Sequence, residues 1–271
     1  MQIFFIESVE EFLKSNSIPF ARRGNTISFE APNLPTLILV PLNEAATDAA
    51  QESEENLGSV IYLYEDRWRS TPQITGKRLL AHLGHFQRIH ARLCKVVTLE
   101  NCKKFSITPT QFNEKVRAFL NKYHPYGYLK CDFPYAFLYK ENIVAAGSFS
   151  GTGKNGFEWT RHATLPEVRI PGGMGKALEA FVQNRKKEGT LRFEVMSYSD
   201  NEWSNGEVYK TLGFNEEEGL PPITYHVDPA TFQRLNYRRW QQAIGKSSSN
   251  DFITIKNRGS RKWKKYFNFT L

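Results

Sequence analysis

The chain has 271 residues, 40% of them hydrophobic and 24% charged, a balance that is typical of globular proteins and argues against extensive disorder. This length suits two modules or one elaborated module. Residues 232–271 hold ten Lys or Arg and one acid within a total net charge of +8, so a basic tail follows a nearly neutral body. Such a tail favours a polyanion such as nucleic acid, although a tail that only aids solubility has the same charge.

Cysteine usage and hydropathy argue against secretion and membrane insertion. Cys94, Cys102 and Cys131 form neither a CxxC pair nor an even set, so we expect reduced thiols and a cytoplasmic protein. The first residues lack a charged segment followed by a long apolar one, and no apolar run reaches about 18 residues. We therefore expect neither a signal peptide nor a membrane span.

The first hundred residues predict a small mixed α/β module. Ser8 and Glu11 have capping-box spacing, which predicts a short helix from there to Leu13. The remaining patterns predict strands at 26–29, 36–40 and 60–64, a helix at 77–85, and a loop or weak helix at 43–57.

The second half opens with a stronger local pattern. Thr108 is placed as an N-cap, Pro109 as the first helical residue and Gln111 as its capping-box partner. An apolar stripe follows at Phe112, Val116, Phe119 and Leu120, so we predict an amphipathic helix. After it we predict a hairpin (135–139 and 143–149), a strand (157–165), a Gly-rich loop, a helix (174–183), a strand (191–199) and a helix (206–211). The predicted fold class is mixed α/β.

The Gly-rich loop is a candidate anion site. Gly172, Gly173 and Gly175 lie between a predicted strand and a predicted helix, where free backbone N–H groups meet the positive end of the helix dipole. A phosphate or pyrophosphate would fit there, because glycines leave the backbone accessible. A tight turn without a ligand is the alternative.

Two motifs in this region resemble the GNAT family of N-acetyltransferases. Residues 173–178 look like its Gly-x-Gly loop and helix, and residues 205–214 look like its Asn, Tyr and Leu-Gly-Phe segment; Ile170 occupies the family's Gln/Arg position, one residue after Arg169. The resemblance implies a GNAT-like domain that binds acetyl-CoA or another acyl-CoA. The cofactor-binding residues it implies are Arg169, Gly172, Gly173, Met174, Gly175, Lys176 and Asn205.

A further resemblance covers more of the chain. Residues 119–127, 158–161 and 197–206 are similar to phage-type proteins that join a Vsr-like nuclease module to a GNAT-like module. Tyr198 and Asp200, with the later Gly206 and Tyr209, are similar to Mom-type DNA-modification proteins of phage. The nuclease half of these proteins ends in an Ile-x-x-Glu-Asp-x-Trp stretch, and residues 61–68 match its ending. These relatives act on nucleic acid.

The acids of a nuclease site are missing. A PD-(D/E)xK-type site needs clustered carboxylates on adjacent strands to hold a divalent metal. The first candidate strand offers only Glu30, and Leu37–Val40 is apolar. We therefore expect three consecutive parts: a degenerate, non-cleaving Vsr/PD-(D/E)xK-like α/β module (1–105), the GNAT-like domain (106–230) and the basic aromatic tail (231–271).

Three residues are candidates for acyl-transfer chemistry. The GNAT resemblance implies that Tyr209 protonates the departing thiolate, with a core aromatic as the alternative. Asp200 is the candidate base, although an Asp before a loop is often a turn former. His124, surrounded by tyrosines, could face the acceptor or be structural. The sequence also contains His82, His85 and His90, but only the first two share a helical face. We therefore expect no metal site.

Several cations are candidates for phosphate contacts. Arg161 and Glu158 are three apart on one predicted strand, so we expect them on opposite faces. The tail interleaves cations with rings, an arrangement that can hold phosphates and stack bases or dock on its own domain. Its candidate residues are Arg238, Arg239, Arg261, Lys262, Lys264 and Lys265.

The sequence therefore predicts an acyl-CoA-dependent N-acyltransferase of GNAT type that acts on a nucleic-acid amine. One alternative is a non-catalytic nucleic-acid-binding protein derived from both folds. The second alternative is an N-acetyltransferase for a small molecule or a protein.

Overall fold

The structure is a computed structural model that describes residues 2–31, 33–44, 59–244 and 252–270. The chain forms two compact units, and each is assembled from segments that are distant in sequence. Unit 1 comprises Met1–Gly84, Ser199–Gly206 and Glu218–Arg261, and unit 2 comprises His85–Tyr198, Glu207–Glu217 and Lys262–Leu271. This division differs from the three consecutive parts expected from the sequence, because each unit contains three segments of the chain.

The first 84 residues contain α1 (Gln2–Ser15), β1 (Ala21–Arg23), β2 (Thr26–Ser28), β3 (Thr36–Val40), β4 (Val60–Tyr64), α2 (Glu65–Ser70) and α3 (Pro72–His82). The four strands form one sheet in chain order, in which β3 and β4 are parallel. The predicted cap at Ser8 is wrong, because α1 starts earlier and the Ser8 hydroxyl donates to the Phe5 carbonyl inside the helix. Most of the loop or weak helix predicted at 43–57 lies outside the described residues.

The next 136 residues, 85–220, contain β5 (Gln87–Arg88), β6 (Lys95–Thr98), α4 (Pro109–Tyr123), β7 (Phe133–Tyr139), β8 (Asn142–Gly151), β9 (Gly156–Thr164), β10 (Val168–Arg169), α5 (Gly173–Lys187), β11 (Arg192–Asp200), α6 (Glu207–Thr211) and β12 (Asn215–Leu220). The capping box at Thr108 and Gln111 is confirmed, as is the buried stripe of α4. The predicted order of hairpin, strand, loop, helix, strand and helix is also confirmed. The fold class is therefore mixed α/β.

The remaining elements are β13 (Thr224–Val227), β14 (Arg234–Leu235), α7 (Tyr237–Ile244), β15 (Ile253–Lys256) and β16 (Ser260–Asn268). Strand β13 pairs with β14 and β15 in a small antiparallel sheet. Strand β16 belongs to a seven-stranded sheet with the order β12-β16-β11-β9-β8-β7-β6. Helix α5 packs on this sheet through Ala177, Leu178, Phe181 and Val182.

Strand β16 agrees with the alternative in which the basic, aromatic segment docks on its own domain. Trp263 is fully buried and stacks on Tyr209, with 5.8 Å between the ring centroids. The ammonium groups of Lys262 and Lys264 lie 3.1 and 3.4 Å from carboxylate oxygens of Glu217. Lys264 also lies 3.5 Å from Glu194, and the Lys265 ammonium donates to the Leu212 carbonyl at 2.5 Å. Acids on neighbouring strands thus offset the charge of Lys262 and Lys264 within the sheet.

We predict that Trp263→Ala lowers the free energy of unfolding by about 3 to 5 kcal/mol, because a fully buried indole is removed from the core. Tyr266, on the same strand, is 64% exposed, so Tyr266→Ala should change it by less than about 0.5 kcal/mol. Chemical denaturation of the two variants measures the difference. Equal losses would contradict the burial of β16.

Candidate functional site

Strands β9 and β11 run parallel and then separate. Their pairing covers three positions, with Gly156 opposite Glu194, Phe157 opposite Val195 and Glu158 opposite Met196. Beyond this point, residues 159–164 of β9 pair only with β8 among the described strands. The Ser197 hydroxyl donates to the Trp159 carbonyl at 2.9 Å, where the separation begins. Among the described strands, one edge of β9 therefore has no strand partner beyond Glu158.

A β-bulge at Thr160 changes which side chains share a face of β9. Trp159 lies opposite Phe149, whereas Arg161 lies opposite the adjacent Ser148, so Thr160 is the extra residue. The bulge shifts the alternation by one position and places Trp159 and His162 on the same face. It also places Glu158 and Arg161 on one face, so the expectation that these two point to opposite faces is wrong.

The Gly-rich loop joins β10 to α5. Gly172 has a φ of 76°, in the left-handed region, and precedes the first residue of the helix. The Gly173 N–H donates to the Ile170 carbonyl at 2.8 Å, and the Lys176 N–H donates to the Gly172 carbonyl at 3.0 Å. Within the described part of the chain, the N–H groups of Met174 and Gly175 have no hydrogen-bond partner. Two free donors thus lie at the positive end of a 15-residue helix.

The polar side chains that the GNAT resemblance assigns to this loop either bind neighbouring carbonyl groups or belong to the other unit. The Lys176 ammonium donates to the Ala91 and Cys94 carbonyls at 3.0 and 2.7 Å, so it fastens a neighbouring segment. Arg169 donates to the Val168 carbonyl at 3.3 Å, and burial lowers the pKa of its guanidinium. Asn205 is exposed and belongs to a unit 1 segment.

The segment that Lys176 fastens brings two further cations to the loop, which the sequence analysis missed. Strand β5 pairs in parallel with β10, with Arg88 opposite Arg169. A Cβ atom on Gly172 would lie 3.8 Å from the Ala91 Cβ, which places the neighbouring Arg92 in the same region. Both Arg88 and Arg92 are exposed. The only sequence signal was their spacing in a segment to which no element had been assigned.

Tyr209 lies close to the point where the strands separate. Its hydroxyl is 2.8 Å from the Ser197 Oγ, and Ser197 donates its own hydrogen to Trp159, so the tyrosine donates to the serine. Burial raises the pKa of Tyr209, which keeps the phenol protonated at neutral pH. The ring also packs against Trp263 and Phe214, so the alternative of a core aromatic describes the ring while the hydroxyl has a polar role.

A second buried network joins side chains of β7 and β9, and it too was missed. The Trp159 indole N–H donates to the Tyr135 hydroxyl at 2.8 Å, and that hydroxyl lies 2.7 Å from the His162 Nδ1. The indole can only donate, so the single hydrogen of the Tyr135 hydroxyl is available to Nδ1, and in this arrangement His162 carries its proton on Nε2. Burial lowers the pKa of His162 to about 4, so the ring is neutral. The bulge concealed this network from a strict alternation pattern.

His124 and Arg161 meet at one loop. The His124 Nδ1 accepts a hydrogen bond from the Tyr126 N–H at 3.1 Å. The Arg161 Nε donates to the Gly127 carbonyl at 2.9 Å, and its Nη1 donates to the Thr160 carbonyl at 2.7 Å. Burial lowers the pKa of Arg161. Both side chains are therefore used to shape residues 124–127, and their roles toward an acceptor or a phosphate stay predictions.

Asp200 ends β11 and shapes the turn that follows. Its Oδ1 accepts from the Glu202 N–H at 3.0 Å, and its carbonyl accepts from the N–H groups of Trp203 and Ser204, also at 3.0 Å. This is the turn-forming alternative weighed above. Asp200 belongs to unit 1 and Tyr209 to unit 2, and the part of Asp200 as a base stays a prediction.

The described residues contain no group of three or more His, Cys, Asp or Glu side chains that could hold a metal ion. His82 packs beside the ring of Trp203, with 5.7 Å between centroids. Among the same residues, none of the helices has the length and apolar character that crossing a bilayer requires. Arg238 and Arg239 are exposed on α7, and Arg261 is half-buried on β16.

We predict that the burial of His162 makes stability depend on pH. The unfolded ring takes up a proton near pH 6.5, whereas the folded ring does so only near pH 4. The free energy of unfolding should therefore fall by up to about 3 kcal/mol as the pH drops from 6.5 to 4. His162→Asn should flatten this part of the profile. Denaturant titrations from pH 4 to 7 give the measurement, and a profile unchanged in the variant would refute the assignment.

Comparisons with known proteins gave structural neighbours only. No family model and no curated protein matches the chain. A ribosomal-protein-S18-alanine N-acetyltransferase from Escherichia coli is 12% identical over 66% of this chain and 96% of its own, with a TM-score of 0.39. A Bacillus subtilis acetyltransferase solved with CoA is 11% identical over 65% and 99%, with a TM-score of 0.35. A GNAT family acetyltransferase from Elizabethkingia anophelis with acetyl-CoA bound is 12% identical over 49% and 74%, with a TM-score of 0.31.

Proposed function

We propose that unit 2 is an acyl-CoA-dependent N-acyltransferase of GNAT type. The observation that carries this proposal is the separation of β9 and β11, two parallel strands with a helix start near the carboxyl end of each. In α/β proteins ligands bind at the carboxyl ends of parallel strands, particularly where the sheet opens. Here α5 offers free N–H groups at that end, and α6 carries the Tyr209 hydroxyl.

Acyl-CoA fits the chemistry of this opening. Its pyrophosphate suits the N–H groups of Met174 and Gly175, and the exposed Arg88 and Arg92 supply nearby positive charge. The amides of its pantetheine arm can pair with the open edge of β9, as an added strand would. The arm would then lead from the helix start toward the buried hydroxyl of Tyr209. Arg169 and Asn205 stay candidates for further contacts.

The proposed reaction transfers an acyl group from sulfur to nitrogen. The acceptor amine attacks the thioester carbonyl carbon, a C–N bond forms and the C–S bond breaks. The amine loses a proton to a base, for which Asp200 and His124 are the candidates, and the departing thiolate takes a proton from the Tyr209 hydroxyl. The raised pKa of Tyr209 supports this last role, because a proton donor has to be protonated before the step.

We predict that Met174→Glu weakens acetyl-CoA binding at least about tenfold relative to Met174→Gln. The two side chains have nearly the same shape, and both lose the packing of Met174. A carboxylate at the start of α5 repels a pyrophosphate, yet it stabilises the helix itself through the dipole, so the variant should remain folded.

Calorimetric titration of acetyl-CoA into the wild type and both variants, with circular dichroism as the folding control, gives the comparison. Absence of binding to the wild type, or equal affinities for the Glu and Gln variants, would overturn the assignment of the loop.

We further propose that the acceptor amine belongs to a nucleic acid. Arg238 and Arg239 support this proposal, because they are exposed on α7 and have no ion pair within the described residues, whereas Lys262 and Lys264 pair with acids. Aromatic rings lie on the same helix. Tyr237 is 61% exposed, and the Trp240 ring stacks on the His226 ring with 3.9 Å between the centroids. Cations beside stacked aromatic rings are suited to binding single-stranded nucleic acid, whose phosphates and bases they can contact. Three free cysteines support a cytoplasmic location.

We predict that the double variant Arg238→Ala/Arg239→Ala reduces the salt dependence of binding to a single-stranded oligonucleotide. Each lost phosphate contact should lower the slope of log K against log salt by about 0.7. Lys262→Ala is the control, because Lys262 already pairs with Glu217 and should leave the slope unchanged.

Fluorescence anisotropy at several salt concentrations, with DNA and RNA strands in parallel, measures these slopes. A wild type without salt-dependent binding would contradict the nucleic-acid proposal and leave a small-molecule or protein acceptor. Oligonucleotide binding without any acetyl-CoA binding would favour a non-catalytic nucleic-acid-binding protein.

A further inference from the structure

Residues 101–131 carry an excess of positive charge that the composition of the whole chain conceals. They include six Lys or Arg residues and a single acid, Glu114, whereas the chain before residue 232 is nearly neutral. The segment lies entirely within unit 2 and consists of the turn that leads into α4, the helix itself and the connection to β7. Its cations are Lys103, Lys104, Lys115, Arg117, Lys122 and Lys130.

These six cations are exposed and have no counter-ion in contact. Within residues 2–31, 33–44, 59–244 and 252–270, none of their charged groups forms a salt bridge or a hydrogen bond. The lysines of β16 differ, because Glu217 and Glu194 offset the charge of Lys262 and Lys264. The segment therefore presents positive charge that is available to an anionic partner.

Helix α4 determines how these cations are arranged. Its buried apolar stripe packs on the sheet, so the remaining side of the helix faces away from the sheet. Lys115 and Lys122 are seven positions apart and lie on one side of this exposed face, and Arg117 lies on the other side. A helix of 15 residues is about 22 Å long, so the cations form an elongated patch. We call the exposed side of residues 101–131 the α4 surface.

Aromatic rings accompany the cations on this surface. The Arg117 guanidinium carbon lies 5.8 Å from the centre of the Tyr128 ring, and the Lys122 ammonium lies 5.1 Å from the centre of the Tyr123 ring. Both rings are half-buried, so each keeps a part that a ligand can contact. Cations beside rings can hold phosphates while bases stack on the rings.

The exposed face of α4 is suited to a nucleic acid rather than to a lipid surface. A helix that binds in a membrane interface presents large apolar side chains beside its cations. Helix α4, every residue of which the structure describes, has no exposed large apolar side chain, and Asn113, Ala118 and Asn121 lie between its cations. Its large apolar side chains are buried against the sheet instead.

A hydrogen-bonded loop joins the α4 surface to β9. The Tyr128 N–H donates to the Asn121 side-chain oxygen at 2.9 Å, and the Arg161 Nε of β9 donates to the Gly127 carbonyl, also at 2.9 Å. Arg161 lies beyond Glu158, in the part of β9 that no longer pairs with β11. A polymer bound along α4 therefore reaches the part of β9 to which the proposed function assigns the acyl-CoA arm.

We infer that the α4 surface binds single-stranded nucleic acid and leads it to the acyl-transfer site of unit 2. The inference identifies a contact surface for the acceptor in addition to Arg238 and Arg239 of α7, and it rests on the proposed function for the acyl-transfer step. The binding itself requires only phosphates and bases, so it can be measured without acetyl-CoA.

The test is fluorescence anisotropy of labelled single-stranded DNA and RNA at several salt concentrations. In Lys115→Gln/Lys122→Gln, the slope of log K against log salt should fall in magnitude by about 1.4, since each lost phosphate contact contributes about 0.7. Glutamine has nearly the helix propensity of lysine, so the variant should remain folded.

Lys154→Gln/Lys187→Gln is the matched control. Both lysines are exposed in unit 2 but lie outside the α4 surface, so this variant has the same net charge and should keep the wild-type slope. Equal slopes in the two double variants would overturn the inference, as would binding to vesicles of anionic lipid in place of the oligonucleotide.

The outcome also separates this inference from the proposed function. A wild-type slope in Lys115→Gln/Lys122→Gln, together with a reduced slope in Arg238→Ala/Arg239→Ala, would overturn the role of the α4 surface and leave the nucleic-acid acceptor in place. A wild type that binds no oligonucleotide contradicts both, whereas calorimetry with acetyl-CoA tests the cofactor site independently.

Discussion

One buried guanidinium, that of Arg234, pairs with two carboxylates and connects the three chain segments of unit 1. Arg234 comes from its last chain segment, Asp66 from the first and Glu202 from the short middle one. A buried ion pair is weak evidence for stability, because the desolvation of its charges is costly. Its value here is directional: three chain segments, the first more than a hundred residues before the other two, must meet in one register for all the hydrogen bonds to form.

Local patterns predicted the elements whose stabilising contacts are local. The capping box of Thr108 and the stripe of α4 depend on residues within a few positions, and the hairpin turn depends on Lys140 and Glu141, both in the left-handed region. The Gly-rich turn was likewise visible, since Gly172 needs a positive φ. These features required no information about distant parts of the chain.

Long-range features were beyond the same reasoning. The bulge at Thr160 depends on the register with β8, so alternation along β9 gave no sign of the Tyr135–His162 pair. Strand β16 resembled a basic tail, because its lysines are matched by Glu217 and Glu194 on other strands rather than by neighbours in sequence. The candidate site was therefore predicted in its loop and in Tyr209, and missed where strands from separate segments meet.

The position of β16 also has a consequence for synthesis of the chain. This strand lies between β11 and β12 in the sheet, although β12 precedes it by some forty residues. On the ribosome, β11 and α6 emerge well before Trp263, which later covers the Tyr209 ring. Until then one side of that ring is exposed and two strand edges are unpaired, which is the condition that invites aggregation of nascent chains. The sheet closes only after β16 has emerged, so the candidate acyl-transfer centre is completed some forty residues after β12 has been made.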